Sequence, residues 1–240
     1  MIAIDQLRKT HGKTEVLHSI SFEVRPGRVT GFLGPNGAGK SSTLRILLGL
    51  DRATSGRALI DGQAYRDLRY PMRAVGAMFD GPGASNGRTA RDHLRWMCQS
   101  NGIPTERIGH VLDLVGLERN ATHKVGTFSL GMGQRLGIAS ALLGSPKTLV
   151  LDEPTNGLDP DGLRWLRAFL RGQAAAEQTV LVSSHLMTEM EDIADDLIVI
   201  NKGALVATGT VDTVRGSHAT LEEAFFALTD PQDMPAGGTL

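Results

Sequence analysis

The sequence has little of several features that would indicate a special environment. Cys98 is the single cysteine among 240 residues, so an intramolecular disulfide is excluded and a reducing compartment is favoured. The 25 Lys and Arg residues nearly cancel the 26 Asp and Glu residues, which leaves a net charge of −1. Because this balance supplies no basic field, we expect no nucleic-acid partner.

Long apolar runs are also missing. No run approaches the ~18 residues of a membrane-spanning helix. The first residues, MIAIDQLRKTHGK, lack the charged, apolar and small-residue segments of a signal peptide. We therefore expect any membrane role to depend on a partner.

The chain does have many glycines, 29 in all, and many lie between strand-like and helix-like segments. Short apolar or β-branched runs predict strands at Ile2–Leu7, Ile20–Val24, Val29–Leu33, Ala58–Ile60, Val75–Phe79, Thr148–Leu151, Val180–Ser183, Leu197–Ile200 and Ala204–Ala207. Helical patterns lie near 40–49, 89–100, 105–115, 131–143, 160–172, 186–193 and 221–228. This alternation predicts an α/β fold with a largely parallel, buried sheet. The strand-poor stretch 86–145 predicts an inserted helical subdomain, and the residues from Asp230 a frayed tail.

A phosphate-binding loop is predicted between the third strand and the first helix. The segment from Gly34 to Ser41, GPNGAGKS, fits the pattern GxxxxGK[ST] in its strand-loop-helix context. Glycines let consecutive backbone N–H groups surround phosphate oxygens, and the following helix N-terminus adds partial positive charge. Lys40 is expected to reach the β- and γ-phosphates, and the Ser41 hydroxyl to hold Mg²⁺.

Two carboxylates follow the strand Thr148–Leu151. Because ligands of open α/β sheets bind at the carboxyl ends of the strands, we expect Asp152 to hold Mg²⁺ through water. Glu153 is expected to polarise a water toward the γ-phosphate. The alternative is that Asp152 only caps a turn and Glu153 is solvated.

With these motifs established, the chain resembles the ATP-binding cassette (ABC) ATPases over nearly all of residues 1–228. FSLGM at 128–132 is similar to the family's signature LSGGQ, and PTNGLD at 154–159 to its D-loop. VSSH at 182–185 resembles the strand end that carries the family's switch histidine, which would be His185. The closing LEEAFFALT and the SLGM signature resemble the drug-export branch, which includes bacitracin, daunorubicin and lantibiotic ATPases.

The resemblance implies a RecA-like P-loop NTPase core with an N-terminal antiparallel β subdomain and an inserted α-helical subdomain. An ATPase domain would span 1–228, with the core and β subdomain in 1–85 and 146–210 and the signature-bearing helical subdomain in 86–145. A short C-terminal helix and flexible tail would occupy 211–240.

The resemblance also implies that ATP and Mg²⁺ bind between two copies of the chain. Catalysis would depend on Glu153, His185 and Lys40. Asp159 would cross the dimer interface, cap the helix that starts at Pro160, or do both. The ATP-binding residues would be His11, Gly34, Pro35, Asn36, Gly37, Ala38, Gly39, Lys40, Ser41, Ser42, Ser129, Gly131 and Asp159, with Ser129 and Gly131 acting in trans. The metal ligands would be Ser41, Asp152 and Asp80.

Some positions depart from the family pattern. Asp80 stands where a glutamine is usual, and it is either a working metal contact or a turn residue. Leu130 replaces the first signature glycine and Met132 replaces the signature glutamine. His11 stands where an aromatic residue usually stacks on adenine, so it either stacks less extensively or is a surface histidine.

The resemblance implies an ATPase subunit that energises export of a drug, antibiotic or peptide-like toxin. A separately encoded permease would hold it at the cytoplasmic face of the cell membrane and dock in the helical subdomain, where we expect contacts from Phe79 and Trp96. Core packing is the alternative for these two side chains. Alternative functions are an importer subunit, a non-transport cassette, or a nucleotide-dependent switch with little turnover.

Overall fold

Two β-sheets organise the chain. The computed structural model describes residues 1–79 and 81–229, so Asp80 and the tail from Asp230 lie outside the described residues. The strands are β1 (Ile2–His11), β2 (Thr14–Val24), β3 (Arg28–Leu33), β4 (Ser55–Ile60), β5 (Val75–Met78), β6 (Thr148–Asp152), β7 (Thr179–Ser184), β8 (Asp196–Asn201) and β9 (Ala204–Thr210). Each strand predicted from the sequence is therefore present.

The helices connect these strands and cover the larger sheet. They are α1 (Lys40–Leu47), α2 (Pro71–Ala74), α3 (Ala90–Asn101), α4 (Arg107–Leu114), α5 (Leu130–Leu142), α6 (Pro160–Ala175), α7 (Met187–Ile193), α8 (Val211–Arg215) and α9 (Leu221–Thr229). Every predicted helix is present, whereas the short helices α2 and α8 were not predicted. Neither has the length needed for a clear helical period.

The larger sheet has the strand order β5-β6-β7-β3-β8-β9 in the described part of the chain. All neighbouring pairs from β5 to β8 are parallel, and β9 pairs antiparallel with β8. β6 and β7 are buried along their whole length, as expected for parallel strands covered on both faces. The predicted α/β class with a largely parallel sheet is confirmed.

The smaller sheet is antiparallel, with the order β2-β1-β4. It packs against one face of the larger sheet through a shared apolar cluster, in which the rings of Phe22 and Phe32 lie 5.4 Å apart. The other face of the larger sheet packs against helices, and this second cluster contains Leu33, Leu149 and the fully buried Cys98. Alternation along β3 sends Phe32 and Leu33 to opposite faces.

The helices α3, α4 and α5 lie between β5 and β6 in the chain. They pack on one another through residues such as Leu94, Leu112 and Leu136, each of which is completely buried. α5 also packs on β5, where Gly76 approaches the backbone of Ala141 closely. Among the helices of residues 1–79 and 81–229, none combines the length and apolar character needed for a bilayer span.

Candidate functional site: the phosphate-binding edge of the parallel sheet

Three neighbouring strands end at one edge of the larger sheet. β3 lies beside β7, with Leu33 opposite Ser184, and β7 lies beside β6, with Ser183 opposite Asp152. Because the three strands are parallel, the segments that follow them meet at this edge. The glycine-rich loop, the carboxylate pair and His185 are thereby brought together.

The glycine-rich loop needs its glycines for close approach and for backbone conformation. A Cβ on Gly34 would lie 2.3 Å from the carbonyl oxygen of Ile200. Gly39 has φ +110° and precedes α1, which has no side-chain cap. The first N–H groups of α1 therefore face the loop without a capping side chain, which is the arrangement that binds phosphate at helix N-termini.

A cavity of about 470 Å³ opens over this loop. Its lining combines the loop with the carboxylate pair, and the lining residues are Val16, Pro35, Asn36, Gly37, Ala38, Gly39, Lys40, Ser41, Ser42, Asp152, Glu153 and Asn156. Most of the residues predicted to bind ATP within one chain thus line a single cavity. Its concave form and its backbone donors suit a polyphosphate.

Lys40 is held inside the loop. Its side chain is only 6% exposed, and Nζ donates to the carbonyl oxygen of Gly34 at 2.6 Å. Nζ also lies 3.6 Å from Oε1 of Glu153. Burial lowers the pKa of Lys40, while the charges of Glu153 and Asp152 oppose that shift. A bound phosphate would supply a stronger counter-charge than the present contacts do.

Asp152 and Ser41 provide a pair of hard oxygen ligands. Oδ2 of Asp152 accepts from the Ser41 hydroxyl at 3.3 Å, and Oδ1 accepts a short hydrogen bond from the Ser183 hydroxyl. Burial raises the pKa of Asp152, and its hydrogen bonds with Ser183 and Ser41 oppose that effect. Mg²⁺ in nucleotide sites is held by one or two protein oxygens together with phosphate and water, so this pair fits the ion.

Glu153 lies at the centre of the site. Oε2 is 2.8 Å from Nδ1 of His185, and the backbone N–H donates to the hydroxyl and carbonyl oxygens of Ser183 at 3.1 and 3.2 Å. Glu153 has φ +51°, a left-handed conformation that costs a residue with a side chain on the order of 1 kcal/mol. The contacts from β7 hold it there and direct its carboxylate toward the cavity and His185.

The signature segment lies at the start of α5, outside the lining of this cavity. Ser129 is exposed and caps α5, since its hydroxyl accepts from the N–H of Met132 at 3.2 Å. Leu130 is 61% exposed. Its side chain also lies against Gly157, since a Cβ on Gly157 would be 2.2 Å from Cδ2 of Leu130. A Cβ on Gly131 would lie 3.2 Å from the carbonyl oxygen of Gly157. The signature and the D-loop therefore form one surface of the chain.

Two further predicted residues lie away from the cavity. Asp159 caps α6, since Oδ1 accepts from the N–H of Gly162 at 2.7 Å. This is one of the two roles predicted for it. The side chain of His11 is 56% exposed at the end of β1, and Nε2 lies 4.0 Å from Oδ2 of Asp51. The structure does not bring His11 into the cavity lining, so adenine stacking stays a prediction, and Asp80 lies outside the described residues.

A separate groove of about 170 Å³ lies between α3, α5 and the segment after β5. Phe79 and Trp96 both line it, and Trp96 is 50% exposed. His93 also lines it and is 3% exposed, and within the described residues its Nδ1 has no hydrogen-bond partner. Burial, assisted by the charge of Arg88, lowers the pKa of His93, which favours the neutral form of this ring.

Sequence reasoning missed three residues of the phosphate-binding edge. Val16 and Asn156 line the cavity, and Ser183 donates to Asp152 and accepts from the N–H of Glu153. Ser183 had a usable signal, because it ends a predicted strand two residues before His185. Val16 had none, because its place depends on how the smaller sheet packs against the loop.

Comparison with known proteins gives the class of this chain. The family model described as ABC transporter matches residues 17–156. The bacitracin transport ATP-binding protein BcrA of Bacillus licheniformis is 40% identical over 96% of the chain and 76% of its own length. The lantibiotic transport ATP-binding protein SrtF of Streptococcus pyogenes is 37% identical, and the match covers 94% of the chain and 96% of SrtF.

The structural comparison agrees. A solved ATP-binding subunit of an ABC transporter has a TM-score of 0.86 and 28% identity, and the match covers 95% of this chain and 99% of that one. The chain belongs to the ABC transporter ATP-binding family. It is an ATPase that uses ATP and Mg²⁺.

Proposed function

We propose that this chain energises export of a drug or peptide antibiotic, and that it hydrolyses ATP with the residues at the phosphate-binding edge. The observation that carries the catalytic assignment is the chain of contacts from Lys40 through Glu153 to His185, at 3.6 and 2.8 Å. Lys40 binds the β- and γ-phosphates. Glu153 accepts a proton from the attacking water, and His185 orients Glu153 and contacts the γ-phosphate.

The Ser41 hydroxyl and the Asp152 carboxylate hold Mg²⁺, which neutralises charge on the phosphate oxygens when it is bound. Ser183 positions the two carboxylates, because its hydroxyl donates to Asp152 and accepts from the N–H of Glu153. One strand end therefore orients both the metal-binding and the proton-accepting carboxylate. Asp80 is proposed as a further metal ligand.

A second copy of the chain completes each ATP site. Ser129 caps α5, a helix of 13 residues, and Gly131 lies in its first turn. This exposed helix start forms one surface with Gly157. N–H groups at a helix N-terminus bind phosphate, yet the chain's own phosphate cavity does not include them. Head-to-tail pairing of two copies would bring each signature to the other copy's γ-phosphate.

The export role is supported by the names of the relatives, which describe bacitracin and lantibiotic transport. A separate permease would carry the transported molecule and hold this chain at the cytoplasmic face of the membrane. The groove beside α3 supports such docking, because Phe79 and Trp96 line it and Trp96 is half exposed. The exposure of Trp96 argues against core packing for that side chain, whereas Phe79 also packs against a buried apolar cluster.

The Glu153→Gln variant tests the ATP-dependent dimer. We expect phosphate release to fall by at least ~100-fold and an ATP-bound dimer to accumulate, measured by light scattering with saturating Mg-ATP. Glu118→Gln, at an exposed site outside the cavity, is the matched control and should behave as the wild type. A Glu153→Gln variant that stays monomeric would show that the head-to-tail dimer is wrong.

The permease is tested by tagging the chain in its host and solubilising membranes in mild detergent. We expect a multi-span membrane protein at stoichiometric recovery, and its deletion should raise sensitivity to the exported compound. Recovery of soluble partners alone would contradict the export role. The segment 81–87 has no charged residue, so a charge is introduced there, as in Ser85→Glu at an exposed position, and we expect it to uncouple ATP hydrolysis from transport.

A further inference from the structure

Two cavities lie side by side along one face of α3. His93, Trp96 and Met97 line the apolar groove described above, and Ser100 and Asn101 line a second cavity of about 240 Å³. Positions separated by 3, 4, 7 and 8 residues share one helix face. The rise of 1.5 Å per residue places the two cavities roughly 8 Å apart along α3.

The second cavity is basic. It is lined by Arg69, Tyr70 and Arg73 in addition to Ser100 and Asn101. The guanidinium carbons of Arg69 and Arg73 lie 5.2 and 5.3 Å from the centroid of the Tyr70 ring. Nη2 of Arg73 also donates to the carbonyl oxygen of Gly102 at 3.2 Å. The aromatic ring thus gathers two positive charges at the mouth of one small cavity.

Neither guanidinium forms an ion pair within the described part of the chain. Among residues 1–79 and 81–229, no carboxylate lies within 4 Å of Arg69 or Arg73. The described lining of both cavities contains no Asp or Glu. A third cation, Arg88, lies 4.9 Å above the Trp96 ring at the groove. An acidic group of a partner would therefore be attracted by these arginines, and no carboxylate of the described lining would repel it.

Cation–π contacts order these arginines before any anion arrives. An arginine fixed in place loses less side-chain entropy when it pairs with a carboxylate, so the pair contributes more to affinity. The planar guanidinium also suits the two oxygens of a carboxylate. The cavity lies beside an apolar groove on the same helix face, and that combination fits a peptide segment with both apolar and acidic side chains.

We infer that the docking groove continues into this arginine-lined cavity, and that the permease segment which docks here carries an acidic side chain. An apolar side chain of that segment fills the groove beside Phe79 and Trp96. An Asp or Glu, roughly 8 Å further along, pairs with Arg69 and Arg73. This inference rests on the proposed permease partner and names the chemistry that the partner must present.

The test uses charge reversal in the full chain. The tagged Arg69→Glu/Arg73→Glu variant is purified from host membranes beside the wild type, and recovery of the permease that copurifies with the wild type is measured. We expect at least a tenfold loss for the double variant. Reversing the matching acidic residue of that permease to Arg should restore recovery to within about twofold of the wild-type pair.

The matched control is Arg95→Glu/Arg119→Glu, which changes the same charge on exposed residues of the same region that line neither cavity. It should retain the permease. Since Arg73 also contacts Gly102, thermal unfolding of each variant is compared, and Arg69→Glu alone serves if the double variant is unstable. Recovery of the permease by a folded reversal variant overturns the inference and leaves the export role standing.

Two other outcomes are informative. If no permease copurifies with the wild type, the proposed function fails and this inference fails with it. If the reversal variant keeps the permease in neutral-lipid nanodiscs but loses binding to permease-free phosphatidylglycerol vesicles, the anion is a lipid headgroup. That result overturns the assignment to an acidic side chain.

Discussion

The phosphate-binding edge and the signature surface differ in how complete they are within one chain. At the edge, the Lys40 and Asp152 residues are 6% and 8% exposed, and both side chains already have partners. At the signature surface, Leu130 is 61% exposed and Ser129 contacts only the start of its own helix among the described hydrogen bonds. In the proposed head-to-tail pairing, one half of the ATP site is formed within the chain and the other half would come from the signature of a second copy.

Because of this difference, we expect that one chain alone can bind the nucleotide, whereas hydrolysis requires two copies. A buried, hydrogen-bonded cavity can bind phosphate in a single chain, because its donors are already ordered. On the proposed trans contact, the exposed signature would add to ATP affinity only when another copy approaches. Variants at the edge should therefore reduce binding in the monomer, whereas variants at the signature should affect only the dimer.

The largest effect is expected for Lys40→Ala. Removing the ammonium group leaves the β- and γ-phosphates without their nearest side-chain cation, so we expect ATP affinity and phosphate release to fall by at least ~100-fold. Isothermal titration and a phosphate-release assay measure the two effects. Lys124→Ala, at an exposed site outside the cavity, is the control. Unchanged ATP affinity in Lys40→Ala would mean that the edge is not the phosphate site.

A smaller effect is expected for His185→Ala. This change removes the 2.8 Å contact with Glu153 but no residue of the cavity lining. We therefore expect kcat to fall by ~100-fold while the ATP Kd of the monomer changes by less than about threefold. His110→Ala, at an exposed site on α4, should leave both unchanged. A rise of about 100-fold in the ATP Kd with kcat unchanged would instead show that His185 acts mainly in ground-state binding.

Ser129→Asp tests the other half of the comparison. Aspartate is as good a helix cap as serine, so α5 should keep its start, but the added charge would face the γ-phosphate of the second copy. We expect ATP-induced dimerisation, measured by light scattering, to weaken by about tenfold or more with monomer ATP affinity unchanged. Ser129→Thr keeps the hydroxyl and should dimerise normally. Wild-type dimerisation of Ser129→Asp would exclude the trans contact.

The sequence predicted the phosphate-binding edge better than the rest of the molecule. The strand before Gly34 and the strand before Asp152 are apolar and β-prone, and parallel topology alone brings their carboxyl ends together. Every residue of the predicted loop from Pro35 to Ser41 lines the observed cavity, and only Gly34 at its start does not. Local spacing was sufficient because the site is built from strand ends and one loop.

What the sequence could not predict depends on contacts between distant segments. Ser183 could be assigned to a strand, but its hydrogen bonds to Asp152 and Glu153 depend on the register between β6 and β7. The basic cavity joins Arg69 and Arg73 with residues of α3 that lie about thirty positions further along the chain. No periodic pattern links such segments. The antiparallel direction of β9 depends on the turn that joins it to β8. The apolar pattern of Ala204–Ala207 does not reveal that direction.

The smallest effect concerns Asp159, which has two predicted roles. Its carboxylate caps α6, so Asp159→Ala should lower the free energy of unfolding of the monomer by about 1 kcal/mol, measured in urea. Asp159→Asn keeps a good cap and removes the charge, so its monomer should be as stable as the wild type. If Asp159→Asn also hydrolyses ATP as fast as the wild type, capping accounts for the residue. If hydrolysis falls while stability is kept, the carboxylate acts across the dimer interface, and the signature surface extends to the start of α6.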